Sequence, residues 1–214
     1  MRMNTHIAAV AGLSLLGLAG AFAPAQAEDL AAEWATIKTP AMPPLQKVSA
    51  DPKTTALLVM DFMKASCTEQ ARPRCVASVA PVKKLLAEAR AKGMTVIYTV
   101  TGNDPVMSGF LPELAAQSGE PIFAARADKF LNPDLDKTLK EKGIKTVIPV
   151  GTAANGAVLY TATGAAYRNY DVLLPIDGMS GSSAFSEQIT AWQLVNGPGL
   201  AERVKLTKID MISF

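Results

Sequence analysis

The sequence predicts a three-layer α/β/α sandwich built on a mainly parallel, doubly wound sheet. From Thr55 onward, short apolar runs (TALLVMD, TVIYTV, TVIPVG, DVLLPID) alternate with amphipathic segments. The runs are almost continuously Val, Ile and Leu, as strands covered on both faces must be. Ligands of such sheets bind beyond the carboxyl ends of the strands. The residues that follow the runs are therefore the functional candidates: Asp61, the stretch from Gly151, and Asp177.

In chain order, residues 1–27 carry one basic residue, Arg2, then an apolar run, then Ala25-Gln26-Ala27, which fits a signal peptide and its small-x-small cleavage site. Gly17, Gly20 and Pro24 interrupt the run, which falls short of the roughly 20 apolar residues of a bilayer span. The expected location is periplasmic or secreted, with no membrane partner. Residues 28–53 hold Pro40, Pro43, Pro44 and Pro52 and read as a short helix near LAAEWATI followed by an extended arm. Residues 54–214 form the one expected domain.

Within that domain, TALLVMD is the first strand, VAPVKKLLAEARAKG a helix stopped at Gly93, and TVIYTV the second strand. PDLDKTLKEKG, NGAVLYTATGAAYRN and SEQITAWQLV read as helices, interleaved with the strands TVIPVG, DVLLPID and finally RVKLTKID. Ser183 or Ser186 starts the helix containing Trp192.

Composition closes several routes. The formal net charge is +2, falling to about +1 without Arg2, and the lysines are scattered, so nucleic acid is not an expected partner. The only histidine, His6, lies in the expected signal peptide. That excludes Ser-His-Asp and Cys-His catalysis and any His-ligated metal from the mature chain. Cys67 and Cys75 are the only cysteines, eight positions apart across a polar loop, and are expected to pair as a structural disulfide. Ser180 is no nucleophile: Ser182 replaces the second glycine of a GxSxG elbow, and no His serves as base.

Three stretches carry a family resemblance: TALLVMD with Asp61, KFLNPDLDKTLKEKGIKTVIPVG, and GTAANGAVLYTATGAAYRNYDVLLPID. The last follows without a gap the pattern Gly-x-x-Thr-x-x-Cys-Val-x-x-Thr-Ala-x-x-Ala, then Tyr-x-Val and a strand ending in Asp. From about Thr55 to Ile212 the chain resembles the isochorismatase-like cysteine hydrolases, which include nicotinamidases. The resemblance implies an Asp, a Lys and a Cys that attacks an amide or related carbonyl at a helix N-terminus. Asp61 matches the Asp, whereas Ala157 stands at the Cys position and Ala154 at the loop Thr. Counting back six residues from Phe130 places Ala124 at the Lys position. The Asp-x-His metal cluster of nicotinamidases has no counterpart, and no metal or cofactor is implied.

With two of three catalytic positions reduced to methyl groups, covalent catalysis is closed. Asp61, deprived of a cation, would be a semi-buried carboxyl with a raised pKa and a better general acid. Lys129 is read as a solvated surface charge. Arg126, two positions past Ala124, is either another such charge or a bidentate clamp for a carboxylate. Asp177 is expected to cap the turn GMSGSS. The N–H groups of Asn155, Gly156 and Ala157 are expected to be free at a helix N-terminus and to attract a carboxylate or carbonyl oxygen. True isochorismatases likewise lack the Cys, carrying Gly there, and use the Asp as acid on a vinyl ether, although they keep the Lys. Two functions stay open: a degenerate member that binds a small carboxylate or amide, and a non-covalent hydrolase using Asp61. The expected partner is such a small ligand, with self-association left open.

Overall fold

The computed structural model describes residues 29–102 and 109–214; the expected signal peptide lies outside the described residues. Two compact units divide the chain after Pro40. In the first, the Asp29 side chain caps a single helical turn, α1 (Leu30–Glu33), by accepting from the Ala31 N–H.

The second unit begins at Ala41, so the latter half of the extended arm belongs to it. Its strands are β1 (Val48–Ser49), β2 (Thr55–Met60), β3 (Thr95–Thr101), β4 (Ile122–Ala125), β5 (Thr146–Thr152), β6 (Asp171–Pro175), β7 (Met179–Ser180), β8 (Val204–Thr207) and β9 (Ile212–Ser213). Its helices are α2 (Pro73–Ala91), α3 (Pro133–Glu141), α4 (Leu159–Tyr167) and α5 (Ala184–Asn196). Seven strands form one sheet in the order β4-β3-β2-β5-β6-β8, with β7 beside β5, and every ladder in it is parallel. β1 pairs with β9 in a separate two-stranded ribbon, so RVKLTKID is not the last strand.

The two-sided burial read from the sequence is seen residue by residue in β2. Ala56, Leu58 and Met60 join a core with α3, α4 and α5, while Leu57 and Val59 join the opposite core with α2. α2 starts earlier than its apolar periodicity suggests. Pro73 supplies the first helical residue, where its missing N–H costs nothing, and Cys75 lies in the first turn. Ser183 is the cap of α5 and forms a reciprocal capping box with Ser186. Asp177 does not cap its own turn: its carboxylate accepts the N–H of Ile209, tying the end of β6 to the chain after β8.

Cys67 and Cys75 form the expected disulfide, both buried in the α2-side core. Closing so short a loop removes freedom from the unfolded chain worth about 2–3 kcal/mol. Reduction should therefore lower the unfolding free energy by about that amount without dissolving the fold. Urea denaturation with and without a thiol reductant measures it, and an unchanged midpoint would contradict a stapling role.

Candidate active site

β2, β5 and β3 deliver their C-terminal ends side by side, because Met60 is in register with Gly151 and with Thr99. The two backbones of the first pair touch: a Cβ on Gly151 would collide with the Met60 carbonyl. Beyond these ends stand Asp61, Thr101 and the turn that follows Thr152.

Asp61 leaves β2 with φ 59°, a left-handed conformation that Asp tolerates better than most residues. Its N–H still donates to the Thr99 carbonyl, so the departure from the sheet begins at its own φ. The carboxylate is buried and faces Lys129, whose Nζ stands 3.0 Å from Oδ1 and 2.8 Å from Oδ2. Thr101 completes a triangle: its hydroxyl donates to Asp61 Oδ2 at 3.1 Å and accepts from Lys129 Nζ at 3.1 Å.

Lys129 is fully buried, at 0% exposure, which corrects its reading as a surface charge. Asp61 is likewise not deprived of a cation, so the premise for a raised acid there fails. The reason is local geometry. Lys129–Leu131 form a 3-10 turn whose Asp128 cap accepts from the Phe130 N–H, and that turn swings the lysine stem inward. From α4, the Thr161 hydroxyl accepts the Lys129 N–H at 3.1 Å and donates to the Ala127 carbonyl. α4 comes this close because residue 164 is glycine: a Cβ there would stand 3.0 Å from Asp128 Oδ1 and 3.1 Å from Phe130 Cδ2. The Arg168 guanidinium lies 4.7 Å over the Phe130 ring and clamps the turn from the other end. Burial pushes the Lys129 pKa down from its ordinary value, and the Asp61 carboxylate opposes that shift without cancelling it.

Ala154–Val158 form one π-helical turn leading into α4. Ala157 is buried about one helical turn before Thr161, on the face of the helix that holds the Lys129 turn. Ala154 is fully buried in the core with Met60 and Phe130, which leaves no room there for a polar function. Asn155 is exposed and Gly156 half-buried. The expectation of three free N–H groups is corrected at Gly156, which donates to the Ala153 carbonyl at 3.0 Å, as does Val158 at 3.3 Å.

Arg126 is not drawn into this cluster. It is exposed beyond the end of β4, two strands from Asp61, on a groove shared with Ala124, Gly102 and Asn132. Ala124 itself sits on β4, its carbonyl accepting from the Asn132 amide. Thr101, Thr161 and the inward turn of Lys129 leave no local signal in the sequence, since each acts across at least 28 positions of chain.

A buried ion pair whose partner is removed leaves an uncompensated charge. Lys129→Met should cost about 3–5 kcal/mol, and the Asp61→Asn/Lys129→Met double variant should cost less than the sum of the singles. The pH dependence has a defined sign. With its folded pKa below 10.5, Lys129 binds fewer protons folded than unfolded, so its contribution to stability rises with pH up to that value. Stability-versus-pH curves for wild type and Lys129→Met should differ by that slope. Additive single costs and parallel curves would show the pair to be uncoupled.

The comparisons with known proteins agree with this fold. Residues 55–202 match the Isochorismatase domain family. The fold is shared with an isochorismatase-like hydrolase from Alkaliphilus metalliredigens, at 25% identity and TM-score 0.66 over 73% of this chain and 95% of that one. It is shared with a cysteine hydrolase from Pseudomonas syringae pv. phaseolicola, at 22% identity and TM-score 0.66 over 78% and 94%. An N-carbamoylsarcosine amidase from Thermoplasma acidophilum follows at 22% identity and TM-score 0.63 over 73% and 97%. No curated protein matches the chain by sequence. With the family match spanning well over half its length, the chain belongs to the isochorismatase family.

Proposed function

We propose that this protein is an exported, non-covalent hydrolase of the isochorismatase family. It acts on a small carboxylate-bearing substrate, with Asp61 as general acid and base and Lys129 as the source of its proton. The carrying observation is the 2.8 Å contact of Lys129 with Asp61, in a chain that has Ala157 where the thiol would stand. Both cysteines are consumed in the disulfide, so no thiol is left elsewhere to form an acyl-enzyme. The disulfide and the leader-like residues 1–27 support export.

The chemistry that fits is protonation followed by water addition. Lys129, whose pKa burial has lowered, hands its proton to the Asp61 carboxylate, and Asp61 passes it to the terminal carbon of a vinyl ether, leaving the amine neutral. Water adds to the resulting oxocarbenium ion and its released proton restores Lys129. The hemiketal then collapses to a ketone and an alcohol. Amides, which need a nucleophile to displace the amine, are poor substrates for this arrangement.

Two outcomes test the proposal. On a panel of carboxyvinyl ethers, wild type should release keto acid, and Asp61→Asn should lower the rate by at least about 100-fold. Circular dichroism and thermal unfolding verify that the variant is folded. Binding without turnover across the panel would leave a ligand-binding protein instead. Separately, Ala157→Cys should yield a thiol that is alkylated faster than a free cysteine of pKa about 8.5 and should hydrolyse simple aromatic amides weakly. The ammonium such a thiol needs is already in place beside Asp61. An ordinary alkylation rate and no amidase activity would mean that residue 157 does not face the pair.

A further inference from the structure

We infer that Arg72 is the anchor for the substrate carboxylate, held over the strand ends by the disulfide loop. Arg72 directly precedes α2 inside the Cys67–Cys75 loop. Its backbone is fixed at both ends: its N–H donates to the Thr68 carbonyl at 2.8 Å, and its carbonyl accepts from Cys75 at 2.9 Å and Val76 at 3.3 Å. The side chain reaches 80 positions along the chain to Thr152, with Nη1 at 3.2 Å from Oγ1. Thr152 is the last residue of β5, immediately before the Ala153–Val158 turn.

Arg72 forms no ion pair among the described residues, unlike Arg74, Arg90 and Arg203, each of which meets a carboxylate. It is exposed, so a guanidinium with five donors spends one of them on a threonine hydroxyl at the strand ends. Thr152 leads from it to a second unsatisfied group. Ser180 is in register with Thr152 in the parallel β5–β7 pair, so both side chains rise from the same face of the sheet. Thr152 Oγ1 donates to the Ser180 carbonyl, yet Ser180 Oγ is fully buried and has no hydrogen-bond partner. A guanidinium with free donors, hung on Thr152 whose register partner Ser180 carries an unpartnered buried hydroxyl, is a polar setting suited to a carboxylate.

The distance to the chemistry suits a small substrate. Thr152 and Asp61 follow residues in register on adjacent strands, which run about 4.8 Å apart, so the threonine that holds Arg72 stands one strand from the acid. Arg126, the candidate from sequence, stands on the other side of Asp61, beyond β3.

This anchor rests on reading the strand ends as a small-ligand site, and its test is independent of turnover. Benzoate and its neutral counterpart benzamide are titrated calorimetrically into wild type, Arg72→Met, Arg72→Lys and Arg126→Met. Arg72→Met should weaken benzoate at least tenfold and benzamide less than twofold. Arg72→Lys should fall between, because the charge stays and the fork is lost. Arg126→Met should leave both ligands unchanged. Equal loss of benzoate and benzamide, an unaffected benzoate affinity in Arg72→Met, or no benzoate binding by wild type would overturn the anchor. Benzoate binding that depends on Arg72 in a protein that turns over no vinyl ether would sink the hydrolase and keep the anchor.

Discussion

The buried contact between Lys129 and Asp61 is the constraint around which this end of the molecule is arranged. Taking an ammonium and a carboxylate out of water costs several kcal/mol per ion, and only close opposed charges with their remaining donors and acceptors satisfied can offset that. The structure meets each condition with a separate element. β2 hands Asp61 out of the sheet in a left-handed conformation, β3 supplies the Thr101 hydroxyl that bonds to both ions, and the 3-10 turn delivers Lys129. α4 holds that turn through Thr161 and the bare face of Gly164. The helix that in a cysteine hydrolase would present a nucleophile here positions the acid's cation.

On the proposed reading, that division lets a chain carry alanine in place of a thiol and keep the pair. Ala157, in the turn leading into α4, and Thr161, in α4, lie about one helical turn apart, and the hydrogen bond to the Lys129 turn comes from Thr161. Replacing a thiol by a methyl group at 157 leaves the hydrogen bonds of the ion pair untouched. The lysine itself shows a related freedom. Family spacing places it six residues before Phe130, on what is here β4, whereas this ammonium arrives from the residue adjacent to Phe130. What chemistry needs is a cation within hydrogen-bond reach of Asp61, and a long flexible stem can meet that need from either backbone position.

Much of the fold was legible because burial on two faces writes itself into the strands as continuous apolar runs, in β2, β3, β5 and β6 alike. β4 is an edge strand of four residues, IFAA, only partly buried, and β7 has two residues, so each is too short to stand out as a strand in the sequence. The start of α2 was hidden because its first turn holds a proline and a disulfide cysteine in place of periodic apolar residues. At the site, Asp61 was readable as the polar residue that ends a strand. Lys129 was not, since a lysine between Asp128 and Phe130 has the same local pattern whether its stem runs outward or inward; the deciding groups, Asp61 and Thr161, are 68 and 32 positions away. Arg72 was hidden for the same reason, its partner lying 80 positions on.

Asp61 and Arg72 sit near opposite ends of one short segment, the connection from β2 to α2, and the disulfide closes that segment on itself. The two charged groups are nevertheless secured differently. Asp61 is fixed by the sheet, through Thr99 and Thr101, and by Lys129, none of which belongs to the connection. Arg72 is fixed by Thr68, Cys75 and Val76, all within or next to the disulfide loop, and among the described residues its side-chain hydrogen bond to the sheet is to Thr152. Opening the disulfide would therefore free the guanidinium while the acid and its cation stayed in place. On the proposed reading, the oxidised state of the two cysteines bears on ligand recognition, and the parallel sheet bears on proton transfer.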